Sequence, residues 1–323
     1  MPMVTTTRRA LLAGAGALAL DLGSSGARAA GFPDQTVKIV VPFSAGSMTD
    51  IVVRSLAEKL QAAWGQNVVV ENRSGVPGTS SVARAAPDGL TLLFTSNGHV
   101  VLGAINKNLP FDPIADFVPV AKVATTPGIL ITAGDGPYRT LAALIDAAKA
   151  KPGALTYASA GVGSATGIAA ELFKKITETN LVMVAHRGLP EANTSVLRGD
   201  TAMGFTFFNV GGDLIRAGQL RALAVTGNAR MSQLPDVPTF AEAGLSEFVY
   251  DAWFAMFAPA HTPPEIVAQL ARDVTREAAA PDLAHRFAPQ GALLTPQPGP
   301  AFAGTVREEA DRYRKLVQDA SNG

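Results

Sequence analysis

Cysteine is absent from the 323-residue chain, and that omission removes disulfides, thiolate metal sites and cysteine nucleophiles together. A chain without cross-links must be held by its core, and 47 % hydrophobic residues at this length suffice for one large or two medium globular domains. Excess charge is lacking too, since 27 Lys plus Arg face 27 Asp plus Glu with no long run of either sign. The basic footprint that neutralises phosphates is missing, so no nucleic-acid partner is expected. Histidine is scarce: His99, His186, His261 and His285 show no H-x-x-H or H-E-x-x-H spacing, and no metal or cofactor is expected. G-x-x-x-x-G-K-[ST] does not occur, which removes the phosphate-gripping loop of nucleotide hydrolysis. G-x-S-x-G is missing as well, although Ser47 or Ser164 with a distant histidine keeps an α/β hydrolase among the alternatives.

Long apolar runs are also wanting. The run that matters for targeting, Ala10 to Leu20, has 11 residues, short of the roughly 20 that a spanning helix requires. Arg8-Arg9 precedes it and "ARA" at 27–29 follows, the small-x-small pattern of a cleavage site. Residues 1–30 read as an export signal cut near Ala29 or Ala30, and the paired arginines also fit the twin-arginine route. Its removal leaves 24 basic against 26 acidic side chains. Export without disulfides suits a bacterial periplasmic protein with a proper core.

Along the remaining chain, short β-branched runs alternate with helical patterns: "TVKIVVPF" then "DIVVRSLAEKLQAAWG", "NVVVENR" then "TSSVARAAP". This alternation predicts an α/β fold with mostly parallel sheets. Between the first strand and helix stands "VPFSAGSMTD", residues 41–50. Thr49 or Asp50 can cap the helix there, Ile51, Leu56, Leu60 and Trp64 form its apolar stripe, and Gly65 stops it. Ala45, Gly46 and Ser47 make a tight loop whose backbone N–H groups favour an anion beside the helix start. "LTYASAGVGSATGIAAELFKKI", residues 155–176, repeats the plan, with Gly161 and Gly163 freeing the loop and Ser164 or Thr166 as cap. Its spacing is G-x-G-x-x-x-G and departs from the dinucleotide fingerprint. Two such loops suggest a pincer that presents amides to both ends of a small anion.

The chain from about 32 to 320 resembles the receptors of tripartite tricarboxylate transporters, the Bug or TctC-like family. "FPDQTVKIVVPFSAGSMTDIVVRSLAEKL", "VVVENRSGVPG", "AAPDGLTLLF", "AKPGALTYASAGVGSATGIAAELFK", "AGQLRALAVTGNAR" and "LPDVPTFAEAGL" carry the resemblance in collinear order. It implies a two-domain α/β periplasmic binding protein of the type II-like Venus flytrap form, with a ligand cleft between the domains. Residues 31–130 and 250–323 would form domain I and residues 131–249 domain II, with "PPEIVAQLARDVTREAAA" and "FAGTVREEADRYRKLVQDA" packing on domain I. The implied ligand is a small carboxylate, aliphatic or aromatic, and the implied partners are the membrane subunits of the transporter. A sensing receptor without transport is the alternative, and no catalytic role is implied.

On that pattern Phe43, Ser44, Ala45, Gly46, Ser47, Thr49 and Asp50 form one jaw. Ser159, Ala160, Gly161, Gly163, Ser164 and Thr166 form part of the other. The chain departs from the family where Gly46-Ser47-Met48 replaces Gly-Gly-Pro, and where Gly167 stands at a position often held by histidine. Thr206 and Phe207 replace an aspartate and asparagine, which implies a less polar wall and disfavours amino-acid ligands. Thr206 and Phe207 are thereby assigned to the ligand; the alternative is that Phe205 and Phe207 alternate into the sheet core, Phe205 above all, with Phe208 on the opposite phase as the other wall candidate. His186 and Arg187 are placed to pair a second carboxylate. N-terminal sequencing of the exported protein should find a chain that begins within a residue or two of Ala30.

Overall fold

The computed structural model describes residues 31–322 apart from 44, 107, 162, 163 and 249. The signal expected over residues 1–30 and the site expectations at Ser44 and Gly163 lie outside the described residues. From Pro33 onward the chain forms one compact unit. β1 (Val37–Val41), α1 (Met48–Trp64), β2 (Val68–Asn72), α2 (Val76–Ala83), β3 (Thr91–Ser96) and α3 (Gly98–Ile105) come first, followed by β4 (Phe117–Pro127). A second series runs β5 (Ile129–Ala133), α4 (Leu141–Ala150), β6 (Thr156–Ser159), α5 (Ala165–Thr177), β7 (Val182–Ala185), α6 (Leu189–Leu197), β8 (Met203–Thr206), α7 (Phe208–Arg216) and β9 (Leu220–Val225). The chain closes with β10 (Asp251–Pro259), α8 (Pro264–Ala278), α9 (Pro281–Phe287), β11 (Leu293–Pro298) and α10 (Gly299–Asn322).

These strands make two sheets, ordered β11-β4-β10-β3-β1-β2 and β7-β6-β8-β5-β9. β1 pairs parallel with β2 and β3, and β6 pairs parallel with β7 and β8. The expectation of mostly parallel sheets needs correcting, because β10 runs antiparallel to both β3 and β4, β11 to β4, and β5 to both β8 and β9. The reversed strands are those through which the chain passes between sheets and those that follow the passage. β4 ends at Pro127 in the first sheet and β5 starts at Ile129 in the second, so Gly128 alone carries the outward crossing. Its N–H donates to Thr226 Oγ1 at 2.7 Å, and the Thr226 N–H donates to the Gly128 carbonyl at 2.9 Å. The Tyr250 N–H then donates to the Thr226 carbonyl at 3.3 Å, which brings the returning chain against the same point.

Helix α1 buries Val52, Val53, Leu56 and Leu60 and ends where Gly65, at φ +64°, donates to the Gln61 carbonyl, a left-handed stop that glycine takes without strain. Ile51 and Trp64, expected in the same stripe, are only partly buried. Helix α8 opens with Pro264 in its first turn, where the missing N–H costs nothing, and buries Leu270, Val274 and Ala278. It packs on β4, β11 and α1, while α10 packs on α3 and β4 through Phe302, Val306 and Tyr313. The second sheet carries an aromatic core in which Phe205 stacks on Phe240 and Phe248, with ring centroids 6.2 and 5.9 Å away.

Two titratable groups packed against the first sheet, His99 buried and Glu309 largely buried, have opposite consequences. The His99 ring lies among Phe111, Phe117 and Phe257 and pairs through Nε2 with the Pro113 carbonyl at 2.8 Å. Burial pushes its pKa down to about 4 from 6.5. Glu309 of α10 accepts from Trp253 Nε1 at 2.8 Å, with Arg312 Nη2 4.0 Å away. Burial pushes that carboxyl up to about 7 from 4.5, against the Trp253 bond and the charges of Arg312 and Lys122.

The native state therefore holds a proton on Glu309 between about pH 4.5 and 7 that the unfolded chain has lost, and stability falls as pH rises through that window. His99 acts the other way: from pH 6.5 down to about 4 the unfolded chain gains a proton that the native state refuses, so stability falls as pH drops. Glu309→Gln keeps an acceptor for Trp253 and removes the first effect. Its stability gain over wild type, measured by urea unfolding, should grow from pH 5 to pH 8 to about 1–3 kcal/mol. A gain that does not change with pH would refute the assignment.

Candidate functional site

A helix that follows a strand in a parallel layer starts at the strand's C-terminal end, so the helices after β1, β3, β6, β7 and β8 begin at the same edge of their sheets. Their first turns meet at one cavity of about 630 Å³. Ser47, Met48 and Thr49 enter it from α1, Ser96 and Gly98 from the start of α3, and Ser164, Ala165 and Thr166 from α5. Gly188, Leu189 and Pro190 come from α6, and Phe207, Asn209 and Val210 from α7. Phe43, Ala45, Gly46, Ala160, Thr126, Ala252 and Phe254 complete the wall. Among these described lining residues there is no lysine, arginine or histidine.

The first loop is built around a carboxylate that faces away from the cavity. Asp50 is 3 % exposed; its Oδ2 accepts from the Gly46 N–H at 2.9 Å, and its Oδ1 accepts from Arg54 Nε and Asn72 Nδ2, each at 2.9 Å. Asn72 also donates to the Phe43 carbonyl at 3.2 Å and accepts from Arg54 Nη2 at 2.7 Å. Burial alone would raise the Asp50 pKa, but the bonds from Arg54, Gly46 and Asn72 outweigh it and hold the carboxyl below its ordinary range. The cap of α1 is Ser47, whose Oγ accepts from the Asp50 N–H at 3.3 Å, ahead of the Thr49 or Asp50 that the sequence suggested. Gly46 sits at φ +79°, a left-handed conformation at the turn itself.

The second loop closes on itself in the same manner. Ser164 caps α5 by accepting from the Gly167 N–H at 3.0 Å and donates to the Gly161 carbonyl at 2.8 Å. Ser159 Oγ accepts from the Gly161 N–H at 3.2 Å and lies 3.3 Å from Ser164 Oγ. A Cβ added at Gly167 would stand 2.7 Å from the Gly161 oxygen and 2.9 Å from Ser159 Oγ. No side chain fits there, which is the local reason for glycine at this position.

Of the residues singled out from sequence, Phe43, Ala45, Gly46, Ser47, Thr49, Ala160, Ser164, Thr166 and Phe207 line the cavity. Asp50, Ser159 and Gly161 brace the loops behind that surface. Thr206 is fully buried, and its Oγ1 accepts from Asn193 Nδ2 at 3.0 Å. Phe208 is buried under the Arg216 guanidinium, 4.7 Å from the ring centroid, and belongs to the second sheet's core. His186 faces a separate recess with Glu191 and Arg198, and Arg187 is exposed.

Sequence reasoning left Met48, Ser96, Gly98, Phe254, the start of α6 and, at α7, Asn209 and Val210 out of its site residues. Ser96-Asn97-Gly98 had a legible signal, a strand followed by small polar residues and a helix. Phe254 had none, since antiparallel pairing with Ser96 brings it to the site. Chemically the cavity offers first-turn amides and hydroxyls to an anion, and apolar side chains to whatever the anion carries. Its two capping serines are occupied by backbone partners, and among the described residues no group of three or more His, Asp or Glu is placed to hold a metal.

Two α/β layers that present helix starts to a shared cleft define a two-domain binding protein of the Venus flytrap kind. The chain belongs to the tripartite tricarboxylate transporter family receptors (TctC), whose family model matches residues 52–321. It is 35 % identical over 315 residues to the "UPF0065 protein in tcbD-tcbE intergenic region" of Pseudomonas sp. (strain P51), covering 96 % of this chain and 94 % of that protein. The structure of the periplasmic binding protein BugD is similar, with TM-score 0.75, 30 % identity, and 90 % of this chain and 99 % of that one covered. R. palustris Rpa4515 with adipate matches with TM-score 0.77, 30 % identity, and 90 % and 98 % covered. The protein is thus a ligand-binding receptor of a periplasmic family, and no helix among the described residues is long and apolar enough to cross a membrane.

Asp50→Ala should strip the first loop of three bonds, lowering unfolding free energy by about 1–3 kcal/mol and weakening ligand binding with it. A variant with native stability and native binding would show that the loop stands without Asp50.

Proposed function

We propose that this receptor captures a small carboxylate, aliphatic or aromatic, between the helix starts of its two sheets and passes it to the membrane subunits of a tripartite tricarboxylate transporter. The observation that carries the reading is the convergence of five helix N-termini on one cavity whose described lining has no cationic side chain. Unpaired first-turn N–H groups and the positive end of each helix supply the counter-charge that a carboxylate needs. The adipate on the similar Rpa4515 supports a carboxylate for this site. Thr49, Ser164 and Thr166 are the hydroxyls assigned to the ligand, alongside the amides of the two loops. Asp50, Ser159, Gly161 and Thr206 act from behind.

In this reading residues 31–130 and 250–323 form one lobe and residues 131–249 the other, except that the crossing at Gly128 moves Ile129 and Leu130 into the second lobe, and the chain returns near Tyr250. A ligand that bonds to both loops binds the closed arrangement more tightly than the open one, and closure follows from that difference. No bond is broken, because the serines that would serve as nucleophiles cap helices and His186 lies in another recess. Residues 1–30 take the protein to the periplasm and are removed.

Thermal unfolding of the purified protein against millimolar aliphatic and aromatic carboxylates tests the reading. A ligand at 100 times its dissociation constant stabilises the native state by about 2.7 kcal/mol. Thr49→Ala and Ser164→Ala should each weaken binding by about 0.5–3 kcal/mol. Unchanged affinity in both variants would remove these hydroxyls from the site, and silence from every carboxylate would sink the proposal.

A further inference from the structure

The helix starts around the cavity are of two chemical kinds. α1 and α5 are capped by serine hydroxyls, with Thr49 and Thr166 in their first turns. α6 begins behind Gly188 with no side-chain cap bond, and Pro190 in its first turn has no N–H to offer. Leu189, the first residue of α6, turns an apolar side chain into the cavity wall. α7 has Phe207 at its cap position, again with no side-chain cap bond, and the Phe207 carbonyl takes the N–H groups of Val210 and Gly211 at 3.0 and 2.9 Å. In the sheet order β7-β6-β8 the hydroxyl-capped start of α5 is therefore flanked by starts that bring Leu189 and Phe207 to the cavity, with Asn209 the polar side chain among them. From the other sheet, Met48 opens α1 and Phe254 stands opposite Ser96.

Resting on the receptor reading above, we propose that the ligand is a carboxylate with a single anionic head and an unsubstituted apolar body. The head sits on the hydroxyl-capped starts of α1 and α5. The body lies against Met48, Leu189, Phe207 and Phe254, and these four side chains set the specificity. A second carboxylate would lose its water against these apolar side chains with no cationic side chain in the described lining to offset the loss. A hydroxyl on the body would lose hydration against the same wall.

The test is calorimetric titration of the purified protein with two series: the straight-chain monocarboxylates from butanoate to octanoate together with phenylacetate, and the dicarboxylates succinate, malate and adipate. Affinity should rise about fourfold per methylene along the first series, the equivalent of about 0.8 kcal/mol for each buried CH₂. The heat-capacity change of binding should be negative. Phe207→Asn, which leaves a good cap residue at the head of α7, should cut octanoate affinity about tenfold or more and flatten the chain-length series. A flat chain-length series, or a dicarboxylate that binds more tightly than the monocarboxylate of equal length, overturns this inference while leaving the receptor reading intact. Failure of every compound in both series overturns the receptor reading itself.

Discussion

The first turn of an α-helix has N–H groups with no carbonyl to take them, and the rest of this structure is arranged around where those groups point. Parallel pairing of β1 with β3 and of β6 with β7 and β8 sets five helix starts at one edge of each sheet. A protein that buried those starts would have to satisfy them internally. Here they face a cavity, and the surrounding chemistry keeps the backbone donors available while tying the loops down. Ser47 and Ser164 each satisfy one N–H, and the Asp50 carboxylate braces Gly46, so each loop is tied down by its own bonds.

Charge is spent on architecture and kept out of the binding surface. Asp50, Arg54 and Asn72 form a closed network under the first loop. Glu309, Arg312 and Lys122 lie on the far side of β10, and His99 stays neutral in an aromatic cage. Each of these groups would distort the field at the cavity were it placed in the wall. The wall instead holds hydroxyls, glycines and apolar side chains, so the electrostatics at the site come from peptide dipoles fixed in direction by their helices.

Much of this was legible in the sequence, where the cause was local. The two strand-loop-helix units announced themselves through glycine, serine and β-branched runs. Alternation along "GFTFFN" set Phe205 in the core, where it is buried, and Phe207, assigned to the wall from the less polar segment, lies beyond the end of β8 and lines the cavity. The sequence pointed to Asp50 at the first loop but could not show its bonds to Gly46, Arg54 and Asn72, because a carboxylate beside a glycine loop looks the same whatever it pairs with. Its partner Asn72 is on the neighbouring strand, and only the β1–β2 pairing reveals it. Phe254 was invisible for the same kind of reason, as were the antiparallel strands that carry the chain between sheets.

A grip made of backbone leaves the side chains of the wall free to vary. Amides at the starts of α1 and α5 persist through almost any substitution that preserves the fold, so on the proposed reading an exchange at Leu189, Phe207 or Phe254 would alter the wall and leave the anion's donors in place. A lineage built on such a cleft can change its cargo in one or two mutational steps, with the machinery for capture inherited whole.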